Sequence, residues 1–259
     1  MRVNKNIHVL NGRIALVPYE KGHVPKYHRW MEDDEIRQAT ASERLTLEEE
    51  YENQVSWRAA SDKLTFIICD MDPATRDDGN SNGPSVEAGT DIRPESMIGD
   101  VNMFLSPWTA DSEEEAGEKG PSYCVAEVDI MIAEPRYRSK GLGRAAVALF
   151  LLYVRRHLGA ILNEYRGEGE EVKLKEVCAK INKDNAASIA LFKSLGFTQR
   201  GEANYFGEVE FVLEAFGQGD FDITESPIGK EALREYREML YRSKLEVWYS
   251  RRGDRVITG

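Results

Sequence analysis

Residues 123–144 read Tyr-Cys-Val-Ala-Glu-Val-Asp-Ile-Met-Ile-Ala-Glu-Pro-Arg-Tyr-Arg-Ser-Lys-Gly-Leu-Gly-Arg, and this stretch decides the fold. The β-branched and partly alternating residues of Val125–Ala133 predict a strand. Pro135 ends that strand, because proline cannot donate to a strand ladder. After Gly141 apolar residues recur at helical spacing, so the sequence predicts a helix that runs to about His157.

The loop between this strand and this helix has the features of an anion-binding site. A helix N-terminus presents unpaired N–H groups and a partial positive charge. Gly141 and Gly143 leave the backbone without side chains, so a phosphate can approach the amides. Basic side chains add to the positive charge: Arg136, Arg138, Lys140 and Arg144. We expect a pyrophosphate group as the ligand.

A dinucleotide-binding loop is one interpretation of these glycines. Gly141-x-Gly143-x-x-Ala146 satisfies the dinucleotide fingerprint, which alone is a weak signal. That fingerprint should follow its strand directly, however, and here the basic segment Glu134–Lys140 separates the two. The dinucleotide interpretation is therefore the weaker one.

The second interpretation is a resemblance to the GNAT acetyltransferase family. Arg138-x-x-Gly141-x-Gly143, placed after a strand and Pro135, resembles the first signature of that family. Farther along the chain, the segment Asn185-Ala-Ala-Ser188-Ile-Ala-Leu-Phe192-Lys-Ser-Leu-Gly-Phe is similar to the family's second motif. Two motifs in the right order favour this family.

The resemblance implies an α/β fold with a mixed central sheet, a splayed pair of strands and helices on both faces. It also implies direct transfer of an acetyl group from acetyl-CoA, a co-substrate, to an amine, with no metal ion. Met131 and Ala133 would offer backbone groups to the pantetheine arm. The residues that would contact the cofactor are Met131, Ile132, Ala133, Arg138, Ser139, Lys140, Gly141, Leu142, Gly143, Arg144, Asn182, Asn185, Ser188 and Phe192.

The sequence offers two candidate catalytic bases and no candidate for the general acid. Strand alternation puts Glu127 and Asp129 on one face with Met131, so both carboxylates are candidate bases, and we expect Glu127 to be the first choice. Phe192 stands where many family members have a tyrosine that protonates the leaving thiolate. Lys180 stands where some protein N-terminal acetyltransferases have a glutamate. The general acid is therefore unassigned.

Composition limits the partners and the location. The net charge of −11 argues against nucleic acid or an anionic membrane as the main partner. Cys69, Cys124 and Cys178 have no paired spacing, which predicts reduced thiols in the cytoplasm or the nucleus, the cytoplasm being the first expectation. Neither a signal peptide nor a membrane helix is expected.

The resemblance covers about residues 1–215, which we predict to be a GNAT acetyltransferase domain with loop insertions at about 72–96 and 106–122. Residues 216–259 would form an extension whose Gly229–Val247 segment is an amphipathic helix. Within the domain, Asn11-Gly12 predicts a hairpin turn. The segment Thr46–Ala59 predicts a helix with a capping box at Thr46 and an apolar face of Leu47, Tyr51 and Val55.

The N-terminal third resembles one branch of the family in which tubulin is a named substrate. This similarity rests on segments such as Val17-Pro-Tyr19, Tyr27-His28 and Thr40-Ala-Ser-Glu43. It implies a protein substrate, with tubulin as the candidate. Two alternatives stay open: a catalytically silent acyl-CoA-binding or scaffold protein, and a small-amine acetyltransferase. The sequence does not indicate an oligomeric state.

Overall fold

The structure is a computed structural model that describes residues 1–71, 94–108, 122–167, 171–219, 221–233 and 236–240. Most of the two predicted insertions lies outside the described residues. The strands are β1 Ile7–Leu10, β2 Ile14–Pro18, β3 Lys63–Asp70, β4 Met97–Pro107, β5 Ser122–Ile132, β6 Val172–Asn182, β7 Thr198–Arg200, β8 Glu208–Leu213 and β9 Arg237–Leu240. The helices are α1 Val24–Met31, α2 Asp34–Ala39, α3 Leu47–Ala59, α4 Leu142–Arg156, α5 Leu158–Arg166, α6 Ala186–Ser194 and α7 Pro227–Ala232.

One mixed sheet holds the described part of the chain together. Its strand order is β7-β8-β6-β5-β4-β3-β2-β1-β9. All neighbouring pairs are antiparallel except β5 and β6, which run parallel. The predicted hairpin is confirmed: Asn11 Oδ1 accepts from the N–H groups of Arg13 and Ile14, at 3.2 and 3.1 Å, and joins β1 to β2.

Helices cover both faces of this sheet, as the family resemblance implied. On one face, α4 buries almost its whole length, and α5, α6 and α7 contribute Ile161, Phe192 and Ile228 to the same core. On the other face, α1 and α2 pack Tyr27 and Ile36 into a second core. Strand residues alternate between the two cores, which is why the sheet is buried on both sides.

The parallel pair β5 and β6 separates at its C-terminal end. The two strands pair from Ser122 and Val172 as far as Glu127 and Cys178. Beyond that point β5 continues to Ile132 and β6 to its own end with no pairing between them. The predicted splayed pair is confirmed, and it leaves a gap that opens at the start of α4.

Helix α3 differs from its predicted orientation. The capping box forms, since Glu49 N–H donates to Thr46 Oγ1 at 3.3 Å and Thr46 N–H donates to Glu49 Oε2 at 2.7 Å. Leu47 and Val55, however, are 42% and 64% exposed, while Gln54 on another face is buried and donates from Nε2 to a backbone carbonyl at 2.8 Å. The predicted apolar face is therefore wrong for Leu47 and Val55, while Tyr51 packs against the second core as predicted.

The predicted helix over Gly229–Val247 is wrong in its described part, and residues 234–235 and 241–247 lie outside the described residues. Helix α7 ends at Ala232, and β9 then adds to β1 in antiparallel register, with Leu240 opposite Ile7. Without β9, strand β1 would present a row of unpaired backbone groups at the sheet edge. Strand addition satisfies those groups, which outweighs the helical spacing of the sequence. Helices α2 and α5 were not predicted.

Candidate active site

The start of α4 presents free backbone amides. Gly141 caps the helix with a φ of 75° and with no side-chain hydrogen bond to the first turn. In the described part of the chain, the N–H groups from Ser139 to Arg144 donate to no protein acceptor. Since the helix dipole adds a partial positive charge here, these amides suit an anion such as a diphosphate.

The side chain of Arg138, a predicted cofactor contact, bonds to the protein itself. Its Nε and Nη2 donate to the backbone carbonyls of Ile132 and Ala133, at 2.9 and 3.0 Å. The guanidinium therefore fastens the loop to the end of β5. Arg13 from the β1–β2 hairpin fixes the loop from the other side, because its Nη2 donates to the carbonyl of Lys140 at 2.9 Å. Side chains of the protein thus hold the loop in place while its amides stay open.

The two glycines serve different purposes. A Cβ at Gly141 would meet nothing within 4 Å, so the requirement there is the positive φ. A Cβ at Gly143 would lie 3.1 Å from Leu191 Cδ1 and 3.6 Å from Ile132 Cγ1. Gly143 therefore lets α4 approach α6 and β5 closely, at the edge of the gap.

The backbone groups that face the gap belong to different residues from those predicted. Ala133 N–H donates to the Ile98 carbonyl at 2.9 Å, which sets the alternation of the β4–β5 ladder. Met131 therefore also turns its N–H and carbonyl toward β4, whereas Ile130 and Ile132 turn theirs into the gap. The backbone groups of Met131 and Ala133, predicted to line the pantetheine arm, thus face β4, and those of the neighbouring residues face the gap.

Asn182 and Asn185, two predicted cofactor contacts, lie on the opposite side of the gap and have exposed side-chain amides. Asn182 ends β6, and its Oδ1 accepts from the Asp184 N–H at 2.9 Å. Asn185 caps α6, and its Oδ1 accepts from the Ser188 N–H at 3.1 Å. These bonds use the oxygen of each amide. The Nδ2 donors of both asparagines bond to no described residue and stay available to a ligand.

Phe192 does not face the gap. Its side chain is 2% exposed and packs edge-on against Phe197, with ring centroids 5.1 Å apart. It is a core residue of the α4 face. A phenylalanine at this position therefore supplies neither an acid nor a surface to a ligand in the gap.

The two candidate bases differ in their partners. Lys180 Nζ donates to Glu127 Oε2 at 2.6 Å, so this carboxylate is already paired with a cation. Asp129 is exposed in the cleft and accepts no hydrogen bond from a described side chain. The enclosing protein removes part of its water shell, and Glu127 and Asp100 repel its charge, which together raise the pKa of Asp129 to about 6. Of the two carboxylates, Glu127 is thus the one held by a cation, and Asp129 has no ion pair among the described residues.

A buried polar group next to Asp129 was missed by the sequence reasoning. Asp100 Oδ2 accepts from Tyr27 Oη at 3.2 Å and from Asn102 Nδ2 at 2.8 Å. Burial raises the pKa of Asp100 to about 6. Asn102 is paired directly with Asp129 across the β4–β5 ladder. Only the strand register brings these residues together, so no local sequence signal could have identified them.

The described residues offer neither a metal cluster nor a single membrane-length helix. Among them, no group of three or more His, Cys, Asp or Glu side chains is arranged to hold a metal ion. In the same part of the chain, no single helix is long and apolar enough to cross a membrane; α4 and α5 would be so only as a pair, and they are bent by 74°.

The fold has a counterpart among solved structures. The crystal structure of the acetyltransferase (GNAT family) from Bacillus anthracis matches with a TM-score of 0.50 and 12% identity, over 80% of this chain and 98% of that chain. This likeness concerns the fold alone. The family model described as Acetyltransferase (GNAT) domain matches residues 13–198. The chain belongs to the GNAT acetyltransferase family.

Curated relatives of this GNAT acetyltransferase match most of its length. An N-acetyltransferase 9-like protein of Dictyostelium discoideum is 42% identical over 83% of this chain and 88% of its own. The Alpha/beta-tubulin-N-acetyltransferase 9 of Drosophila melanogaster is 41% identical over 81% of this chain and 87% of its own. The human protein of the same name is 37% identical over 82% of this chain and 86% of its own.

These similarities and the geometry agree on the reaction class. GNAT acetyltransferases use acetyl-CoA as the acetyl donor. The free amides at the start of α4 and the N–H groups of Ile130 and Ile132, which face the gap, fit the diphosphate and the amide-bearing arm of that molecule. This chain is an acetyl-CoA-dependent N-acetyltransferase.

Proposed function

We propose that this GNAT acetyltransferase acetylates an amine of a protein substrate, and that Asp129 accepts the proton of that amine. The observation that carries the proposal is the Asp129 carboxylate, which is paired with none of the described residues and lies on the part of β5 that has separated from β6. Glu127 is tied to Lys180, so it is the poorer acceptor. The proposed base is therefore Asp129, whereas the sequence alone made Glu127 the first choice.

Proton removal is necessary because the attacking amine must be neutral. A protein α-amine has a pKa of about 8 and a lysine side chain about 10.4, so both arrive mainly as ammonium groups. A base works best when its pKa lies near the working pH. The raised pKa of Asp129, about 6, brings it closer to neutral pH than an ordinary aspartate, while it stays ionised at pH 7.

The chain's own residues would hold the donor and the acceptor together. Bound acetyl-CoA supplies the activated acetyl group as a thioester. The amides of Ser139 to Arg144 would bind its diphosphate, and the N–H groups of Ile130 and Ile132 would face its arm. Arg138, already bonded to the end of β5, would keep the loop amides and the strand in fixed relation. Orientation of this kind is worth several orders of magnitude in rate.

A protein acceptor is supported by the names of the fly and human relatives, which give tubulin as their substrate. It is also supported by charge, because Glu127, Asp129 and Glu208 act on the same part of the cleft and would attract a cationic amine. We infer a location in the cytoplasm, with the nucleus as the second choice. The three cysteines are buried and free of disulfides, which suits a reducing compartment.

Mass spectrometry of a cell lysate incubated with isotopically labelled acetyl-CoA tests the proposal. Label should appear on defined protein amines with the wild-type protein and not with Asp129→Asn, which keeps the side-chain shape. Purified tubulin and a panel of polyamines, assayed in the same way, separate a protein substrate from a small amine. CoA binding without transfer to any acceptor would instead identify a catalytically silent protein and refute the proposal.

A further inference from the structure

Asn102 lies next to the proposed base. It pairs with Asp129 across the antiparallel β4–β5 ladder, and both side chains point to the face covered by α1 and α3. The ladder alternation makes this a hydrogen-bonded pair, in which the Cα atoms of opposite residues are about 5.5 Å apart. Side chains at such positions contact each other.

The amide of Asn102 is held in one orientation. Its Nδ2 donates to Asp100 Oδ2 at 2.8 Å, and Tyr27 Oη donates to the same oxygen at 3.2 Å. Asp100 is 2% exposed. Because Nδ2 is engaged with this anchored carboxylate, the Oδ1 atom of Asn102 is directed away from it.

That Oδ1 atom has no hydrogen-bond donor among the described residues. Asn102 is 7% exposed, so water does not reach the atom freely. A buried carbonyl oxygen without a donor is costly, and such an atom in a folded protein calls for an explanation. An ionised Asp129 cannot supply a donor, but a protonated Asp129 can.

We propose that Asn102 is a positioning residue for the base: its Oδ1 accepts a hydrogen bond from the Asp129 carboxyl group once that group has taken the proton of the substrate amine. This inference rests on the proposed role of Asp129. Asp129 first takes one proton from the substrate ammonium group, and its O–H then points at Asn102. The freed lone pair of the nitrogen bonds to the acetyl carbon, the bond between that carbon and the CoA sulfur breaks, and its electron pair leaves with the sulfur as a thiolate. A second N–H proton passes through solvent to the thiolate, and the Asp129 proton leaves to solvent before the next cycle.

The inference predicts how the pKa of Asp129 depends on its neighbours. A hydrogen bond that forms only with the protonated carboxyl stabilises that form and raises the pKa. Other charged groups also act on Asp129: Glu127 on β5, Asp100 on β4, Lys180 on β6 and Glu208 on β8. A variant must therefore remove the Asn102 acceptor and leave these groups in place.

Asn102→Leu removes the acceptor with little change in volume. Titration of the Asp129 carboxyl by NMR on 13C-labelled protein should show its pKa lowered by about one unit, roughly the worth of one hydrogen bond. The acid limb of the pH profile of kcat/KM should move down by the same amount. Asn102→Ala carries the same expectation if the leucine variant does not fold.

Tyr27→Phe is the matched control. It removes the other donor to Asp100 and leaves the amide of Asn102 intact, so the Asp129 pKa should stay close to that of the wild type. An unchanged Asp129 pKa in both Asn102 variants overturns the inference, and so does an equal shift in Tyr27→Phe, which would trace the effect to Asp100. The NMR titration needs no acceptor substrate. Its outcome is therefore separate from a failure of the proposed function, which full activity of Asp129→Asn would reveal.

Discussion

Replacing Gly141 by alanine should destabilise the protein through backbone conformation alone. Gly141 has a φ of 75°, and an added Cβ would meet nothing within 4 Å. The cost is therefore that of placing an L-residue in the left-handed region, about 1–2 kcal/mol. In a protein of this size a change of about 1 kcal/mol shifts Tm by roughly 2–4 °C. We expect the Tm of the ligand-free variant to fall by roughly 2–8 °C.

The same substitution should weaken cofactor binding. CoA at about 100 times its Kd stabilises a protein by roughly 2.7 kcal/mol, which corresponds to an increase in Tm of roughly 5–11 °C for the wild type. If the backbone of the Gly141→Ala variant relaxes away from the positive φ, the amides of the first turn of α4 lose their common direction. The increase in Tm with CoA should then be much smaller.

Gly159→Ala is a matched control for both effects. Gly159 lies within α5, where an added Cβ would again meet nothing within 4 Å and the backbone is not left-handed. Alanine in a helix is favoured over glycine by about 0.5–1 kcal/mol, so this variant should be slightly more stable and should keep the full response to CoA. Calorimetry of the three proteins with and without CoA makes the comparison. A Gly141→Ala protein that matches the wild type in both values would refute the reasoning.

Three further perturbations test the charges and the surface. Lys180→Met removes a cation that acts on Asp129, so the pKa of Asp129 should rise and the acid limb of kcat/KM should move to higher pH; a shift in the other direction would contradict the assignment. Asp100→Asn removes a carboxyl whose pKa is raised to about 6 in the folded state. Because the folded state holds this proton more tightly, the stability of the wild type falls as pH rises from about 4 to 6. The free energy of unfolding of the variant, relative to the wild type, should therefore increase by about 1–3 kcal/mol between pH 4 and pH 8. Urea unfolding at both pH values measures this, and an equal difference at both would count against it. Tyr205 and Phe206 are 97% and 78% exposed on the β7–β8 turn, and an exposed aromatic pair of this kind suits contact with a protein substrate. Changing both to serine should raise KM for a protein substrate severalfold and leave Tm nearly unchanged. An unaltered KM would show that this surface does not bind the substrate.

Local patterns in the sequence were sufficient for much of the fold. The Asn-Gly turn, the capping box at Thr46 and the Gly141 helix start each depend on neighbouring residues, and each forms as predicted. The splay of β5 from β6 followed from the family motifs, since no single strand contains that information. Fold and reaction class were therefore accessible from the sequence.

Features that depend on distant partners were not accessible. Helix α3 buries Gln54 and exposes Val55, because Gln54 Nε2 donates a hydrogen bond to the carbonyl of Tyr19. Segment 237–240 becomes β9 because β1 offers an open edge. Strand alternation correctly put Glu127 and Asp129 on one face, but their ranking required the position of Lys180, which only the structure supplies.

Hydrogen exchange with and without CoA is the most direct test of the central claim, that the free amides at the start of α4 bind the cofactor diphosphate while its arm enters the gap between β5 and β6. CoA should slow exchange at the amides of residues 139–144 and at those of Ile130 and Ile132, and it should leave the edge strand β9 unaffected. If CoA binds and protection appears elsewhere while residues 139–144 exchange at their ligand-free rates, the account is contradicted.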